Sequence, residues 1–447
     1  MRPPVNVIGG GLAGCEAAWQ LARRGVPVRI FEMKPVRFSP AHESDALGEL
    51  VCSNSLRSDE LHNAIGLLHE EMRRLDSLIL AAADRHRVPA GRALAVDRAA
   101  FSRTVNEEIE ARPEVEIVRK EVTALPEAGE AVTIVATGPL TADGLTESIR
   151  GLCGESLYFY DSIAPTVYAD SLDLEKIFRA SRYQDGDGDY LNIPLTRDQY
   201  YAFIEEIARA EKIPLHRFEP AHHFEGCLPI EVMASRGPDT LAFGPLKPVG
   251  LRDPRSSEPP FAVVQLRQED ALGTLYNMVG FQTRMRIGEQ KRIFRSLPGM
   301  EKAVFARLGS THRNTFICSP ALLDDHLEHV RRRGLFFAGQ IAGVEGYVES
   351  AALGLLVGIH VAFRVRGAEA PLPPPETALG ALLRYLRETA PDRFQPTNVN
   401  FGLFPPLETR DGSRMPRTPK RERNLKVSQR ALRELETYRR LVQPARI

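Results

Sequence analysis

The chain opens on a short apolar run, Val5-Asn6-Val7-Ile8, which passes at once into glycines and then into apolar positions at helical spacing in CEAAWQLARRG. A second apolar run, Val26 to Phe31, closes on Glu32. A strand pattern, a 3.6-residue pattern stopped by Gly25 and a second strand pattern predict a β-α-β unit of ~30 residues. Residues 33–60 have no sustained period and read as a long loop, whereas residues 61–84 predict one amphipathic helix. Val132 to Leu140, VTIVATGPL, reads as a further buried strand. Beyond residue 168 the pattern changes: SRYQDGDGDYLN is a turn, and TLAFG and FAVVQLRQ read as strands. From Gly334, GLFFAGQIAGVEGYVESAALGLLVGIHVAF returns to strand, Gly-rich turn and long apolar helix. PLPPP, a short helix and a basic tail complete the pattern.

The first turn has a chemical reading. Gly9-Gly10-Gly11-Leu12-Ala13-Gly14 fits G-x-G-x-x-G between strand and helix. Gly9 makes the tight turn, Gly11 admits a pyrophosphate and Gly14 lets helix pack on strand, with the helix N-terminus facing the phosphates. Glu32 stands where an acid grips ribose hydroxyls. A ligand-free glycine turn is the plain alternative, and an S-adenosylmethionine fold opens similarly. The second Gly-rich turn favours a flavin: Gly339, Gln340, Gly343 and Gly346 bring a helix N-terminus to the ring. FAD proteins usually carry Asp where Gln340 stands. No second G-x-G-x-x-G offers a separate NAD(P)H domain, so a nicotinamide must reach the flavin from its open side. The expected fold is α/β. Residues 1–167 and 311–370 form a Rossmann-like FAD-binding domain, 168–310 an inserted mixed α/β domain, and 371–447 a C-terminal extension with a basic tail.

Composition narrows this little: 447 residues with 43% apolar and 26% charged describe an ordinary globular protein. No uninterrupted apolar run reaches the ~18 residues of a membrane span, and the N-terminus lacks the regions of a secretory signal. Five scattered cysteines with no C-x-x-C predict neither disulfides nor zinc, and point to a reducing cytoplasm. His222-His223 resembles a metal pair, but no carboxylate or Cys spacing completes it, so no metal is expected. Net charge is zero, yet residues 410–447 hold twelve Lys/Arg against four Asp/Glu. A basic tail on an acidic body points to a polyanion such as RNA; a solvated amphipathic helix is the alternative.

Two cysteines stand out. Cys52 lies in the polar stretch CSNSLRS, and Cys227 lies in FEGCLPIE, between Gly226 and Pro229, with Arg236 and Lys247 near in sequence. Free cysteine is ordinarily a small buried hydrophobe, and Cys15 is read that way.

Stretches across most of the chain, among them GGGLAGCEAAW, LVCSNSLRS, FEGCLPIEVMASRG, MVGFQT, AGQIAGVEGYVESAALG and FQPTNVNFGLFPP, resemble the folate- and FAD-dependent tRNA uracil-5-methyltransferases, the TrmFO family. The AGQIAG…GY element is shared with the larger GidA-type tRNA-modifying flavoproteins. The resemblance implies ribothymidine formation in the tRNA T-loop (U54), with 5,10-methylenetetrahydrofolate as carbon donor and reduced FAD and NAD(P)H as electron source. Uracil C5 is a poor nucleophile until a thiolate adds to C6, and donors must then stabilise O4. On this reading Cys227 is the covalent nucleophile and Cys52 its assistant. Glu345 is a candidate base, with Glu349 one helical turn on; a solvated acid at a helix start is the alternative. Asn54, with Ser53 and Ser55, is expected to hydrogen-bond the cofactor, Arg57 to face phosphate or folate carboxylate, and His312 or Arg313 to contact folate or RNA. Two other readings use the same residues: a small-molecule FAD oxidoreductase with Cys52 and Cys227 as a redox pair, and a non-catalytic RNA-binding flavoprotein.

Overall fold

The computed structural model describes residues 3–154, 157–184, 188–213, 228–407 and 418–444, with 157–161 and 311–313 described by backbone alone. Five parallel strands make the central sheet, in the order Leu335–Phe337, Thr133–Val135, Val5–Ile8, Val28–Glu32, Val115–Arg119. The chain leaves Val5–Ile8 toward one edge, then returns on its other side at Thr133–Val135. The crevice at this reversal is where such sheets bind ligands.

The Leu12–Ala22 helix lies along the Tyr347–Arg364 helix, and glycines let the two backbones meet. A Cβ on Gly354 would stand 2.2 Å from the Ala13 carbonyl oxygen, and one on Gly358 2.7 Å from that of Ala17. The Tyr347–Arg364 helix is apolar enough to cross a membrane by composition, but 83% of it is buried in protein. Its all-round apolarity reflects a position in the core.

The helix expected over 61–84 is two helices, Ala64–Arg74 and Leu78–Arg85. Asp76 takes a φ of +57° between them, and Ser77 caps the second through the Leu80 amide. The break is held from elsewhere: buried Glu16 accepts from Ser77 Oγ at 2.7 Å and from the Ile79 amide at 3.1 Å. TLAFG is likewise a helix, Thr240–Phe243, not a strand. Tyr200 Oη accepts from the Ala242 amide at 3.0 Å, and Phe243 points outward, 83% exposed.

A six-stranded antiparallel sheet runs from Thr166 to Arg307 and holds Ala262–Gln268 at its centre. It carries its own hydrophobic core, and a two-stranded ribbon, Leu157–Ser162 with Thr311–Phe316, joins it to the cofactor domain. The basic C-terminal helix, Lys420–Val442, is docked: Val427, Ala431, Leu435, Tyr438 and Val442 belong to the same core as Val5 and Leu12.

Candidate functional site

A cleft opens at the sheet reversal. Its floor is Gly9 to Ala13, its sides include Glu32, His42, Glu49, Thr137 and Gly138, and Gln340, Tyr347 and Ser350 close it from the second Gly-rich turn. Gly9 has a φ of +105°, and a Cβ there would stand 2.5 Å from the Ala136 carbonyl oxygen. A Cβ on Gly14 would stand 1.8 Å from the Gly9 oxygen, so the helix must start on bare backbone. Gly11, by contrast, has no protein atom within 4 Å of where a Cβ would point. It leaves a bare backbone surface at a helix N-terminus that has no side-chain cap, a site suited to a pyrophosphate.

Glu32 is 5% exposed. Its Oε2 accepts from the Gly10 amide and its Oε1 from the Lys34 amide, both at 2.9 Å. Each oxygen keeps a second lone pair, so the carboxylate can take a ribose diol while bracing the glycine turn. The glycine cradle, the uncapped helix and this acid fit a dinucleotide such as FAD. Cys15, fourth in the helix that begins at Leu12, donates its thiol to the Gly10 oxygen at 3.2 Å, and burial pushes that thiol far up.

The second Gly-rich turn is built more by packing than by contact with the cleft. Gly339 abuts Ala13, Gly343 abuts the Phe394 ring, and Gly346, with a φ of +114°, sits against Glu349. Gln340 lines the cleft and donates from Nε2 to Glu345 Oε2 at 2.6 Å. Glu345 and Glu349 are buried, which overturns their reading as solvated helix-start acids. Glu349 Oε1 accepts from Arg57 and from the Val399 amide, while its Oε2 has no hydrogen-bond partner. Arg57 is thus occupied by Glu349 and borders a second cleft shared with Asn400, Phe401, Lys420 and Arg423.

Cys52 is half-buried beside the first cleft, whose wall includes Val51 and Tyr347. Tyr347 Oη accepts from the Cys52 amide at 2.5 Å and from the Ser53 amide at 3.1 Å. Asn54 does not serve the cleft: it is fully buried, donates to the Val96 and Gln268 carbonyls at 2.9 Å each, and accepts from Arg267 Nε at 3.0 Å. Ser53 Oγ accepts from Arg267 Nη2 at 2.7 Å, and Ser55 Oγ accepts from the Arg57 amide. The polar residues of this stretch are committed to fixing the turn. Cys227 and His222-His223 lie outside the described residues, as do the side chains of His312 and Arg313. Among the described residues no group of three or more His, Cys, Asp or Glu is arranged to hold a metal. Sequence reading missed Tyr347, Arg98 and Arg267, because their relation to Cys52 exists only across the fold.

A Rossmann-type sheet assembled from two segments, with an antiparallel sheet inserted between them and a glycine-cradled crevice at its strand reversal, defines a dinucleotide-binding protein of the flavoprotein kind. The model of a family described as glucose inhibited division protein A matches residues 4–369. A methylenetetrahydrofolate–tRNA-(uracil-5-)-methyltransferase TrmFO of Geobacter sulfurreducens is 58% identical over 440 residues, 98% of this chain and 99% of the relative. One from Desulforudis audaxviator is 55% identical over 439 residues, 98% of each chain. GidA of Aquifex aeolicus in its form II crystal shares the fold with a TM-score of 0.70 at 18% identity, over 98% of this chain and 73% of that one. The chain belongs to the TrmFO family, within the wider group of GidA-related flavoproteins.

Proposed function

We propose that the chain is a folate-dependent tRNA uracil-5-methyltransferase acting at U54 of the T-loop, with 5,10-methylenetetrahydrofolate as carbon donor and NAD(P)H as reductant. One observation supports this above others: the family match spans nearly the whole chain, and it coincides with a cysteine turn set directly against a glycine-cradled dinucleotide cleft. FAD, when bound by Gly9 to Gly14, Glu32 and the Gln340 turn, supplies the redox chemistry.

The chain's own residues carry the rest. A thiolate from Cys227 or Cys52 adds to uracil C6, which turns the ring into an enolate whose C5 attacks a carbon at the methylene level. A base must then take the C5 proton as the thiolate leaves C6, and a hydride equivalent drawn from NAD(P)H reduces the exocyclic methylene to the methyl group. Glu345, buried and hydrogen-bonded to Gln340 at the cleft wall, is the candidate, since a carboxyl shielded from water is suited to base chemistry. The tail helix presents Lys420, Arg421, Arg423, Arg433 and Arg440, none in a salt bridge among the described residues, and these are suited to RNA phosphates.

The test is direct. The FAD-loaded protein, an unmodified tRNA transcript, NADPH and methylenetetrahydrofolate should give 5-methyluridine at position 54 by nucleoside and fragment mass spectrometry. Product that appears only with S-adenosylmethionine, or none, defeats the proposal. A Cys227→Ala variant with full activity would remove Cys227 as the nucleophile and leave Cys52.

A further inference from the structure

Every residue from Leu50 to Asn54 is gripped by a side chain from elsewhere in the fold. Arg98 Nη1 donates to the Leu50 carbonyl at 3.0 Å. Arg307 Nη2 donates to the Val51 carbonyl. Tyr347 Oη takes the amides of Cys52 and Ser53, and Arg267 takes the side chains of Ser53 and Asn54. The grips come from three places: Arg98 and Tyr347 from the cofactor domain, Arg267 from the central strand of the inserted sheet, Arg307 from its edge.

Among the described residues, the arginines around this turn outnumber the carboxylates paired with them. Glu269 pairs with Arg98 at 2.6 Å and accepts from Thr166, while Glu43, 73% exposed, lies 3.8 Å from Arg307. Among the described residues, Glu269 is thus the buried carboxylate set against Arg98 and Arg267, of which burial draws Arg267 down, while the acid beside Arg307 is exposed. Arg98 also has a buried Nε–H with no hydrogen-bond partner. Tyr347 is no source of negative charge: burial first, and the nearby Cys52 second, push its phenol well up. Burial draws Arg98 down, but Glu269, the largest of the opposing influences, helps to outweigh it, and Cys52 acts in the same direction. Cys52 and Arg98 thus feel each other electrostatically across the turn.

We propose that Arg98, Arg267 and Arg307 are positioning residues that clamp the Leu50–Asn54 turn from both domains and set Cys52 in a cationic surround that favours its thiolate. The proton lost from the thiol passes to water, and no oxidant or co-reactant is needed. This deepens the proposed function by making Cys52 a ready nucleophile, whichever step uses it. It also ties the geometry of Cys52 to the inserted domain, since two of the three arginines stand on that sheet.

The test is the pH dependence of alkylation. The full-length FAD-loaded protein is treated with iodoacetamide from pH 6 to 10, and the Cys52 peptide is followed by mass spectrometry. The expected midpoint lies at least about one unit below the ~8.5 of an ordinary thiol. Arg98→Gln should move it up by about one unit, slowing alkylation at pH 7 roughly tenfold, and Arg98→Lys should restore most of the loss. Glu269→Gln should move it the other way. Arg307→Gln, at the rim of the turn, gives a second upward shift that does not depend on the Arg98 variants folding. A wild-type midpoint at or above 8.5, no alkylation below pH 9, or a midpoint that neither Arg98→Gln nor Arg307→Gln moves would overturn the proposal. Loss of 5-methyluridine formation with the low midpoint intact defeats only the functional reading; an ordinary midpoint with methylation intact defeats only this one.

Discussion

The Gly10 amide donates to Glu32 Oε2 at 2.9 Å, so the acid placed to read a ribose is also the acid that braces the turn beneath the phosphates. Glu32→Gln keeps the shape but removes the charge, and it puts an amide where one oxygen now accepts. Hydrogen bonds to a charged group contribute about 1.5–3 kcal/mol, so FAD should bind at least about tenfold more weakly. Fluorescence titration of deflavinated protein measures this; an unchanged affinity would show that Glu32 only supports the turn.

Two glycine-to-alanine changes should move stability in opposite directions. At Gly354 a methyl would meet the Ala13 carbonyl oxygen at 2.2 Å, and the overpacking should cost about 1–3 kcal/mol. At Gly151, in the Asp143–Cys153 helix, nothing lies within 4 Å of the added carbon. There alanine should stabilise by about 0.5–1 kcal/mol through helix propensity. Thermal unfolding of both variants with FAD bound decides it.

Glu71 gives a pH dependence with a definite sign. It is fully buried, and its carboxyl takes the Ala378 and Leu379 amides at 2.7 and 3.0 Å. Burial pushes it up to about 8, against the opposing pull of those amides and of Arg74. Its folded value lies above the unfolded one. Its contribution to stability is therefore complete below about pH 4.5 and declines as pH rises to about 8. Glu71→Gln should flatten that decline, seen as a wild-type-minus-variant difference in Tm that shrinks from pH 5 to 8. A difference independent of pH would refute the assignment.

The basic helix can be tested without removing it. Deleting residues 410–447 would strip Val427, Ala431, Leu435 and Tyr438 from the core and confound binding with unfolding. Lys420→Glu, Arg423→Glu and Arg433→Glu together leave the buried face intact. They should weaken tRNA binding and lower the slope of log affinity on log salt by about one for each phosphate no longer neutralised, with FAD content unchanged. Equal slopes for wild type and variant would remove the helix from the RNA surface.

The glycine turn, its flanking strands and Glu32 were legible because their reasons are local: spacing, small residues and one acid at a fixed offset. The split of 61–84 was not, because the caps on the second helix depend on Glu16, which lies 61 residues before Ser77. TLAFG has strand-like composition, yet its helical turn is fixed by the Tyr200 hydroxyl. Asn54 looked like a cofactor ligand because a polar residue beside a cysteine invites that reading. Its partner Arg267 is 213 residues away, and no local pattern announces it. The Cys52 turn is thus the part of the site that sequence could flag but not explain.

Arg24, two residues past the end of the first helix, donates to the Val442 carbonyl at 2.7 Å, and Arg366 donates to the Arg24 carbonyl. The first helix is therefore completed by a contact 418 residues further along the chain. The inserted sheet has a core of its own, whereas the core of the cofactor domain draws on residues from Leu335 to Val442 as well as on Val5 and Leu12. A chain cut short before residue 420 would lack Val427, Ala431, Leu435, Tyr438 and Val442 and leave that core open to water.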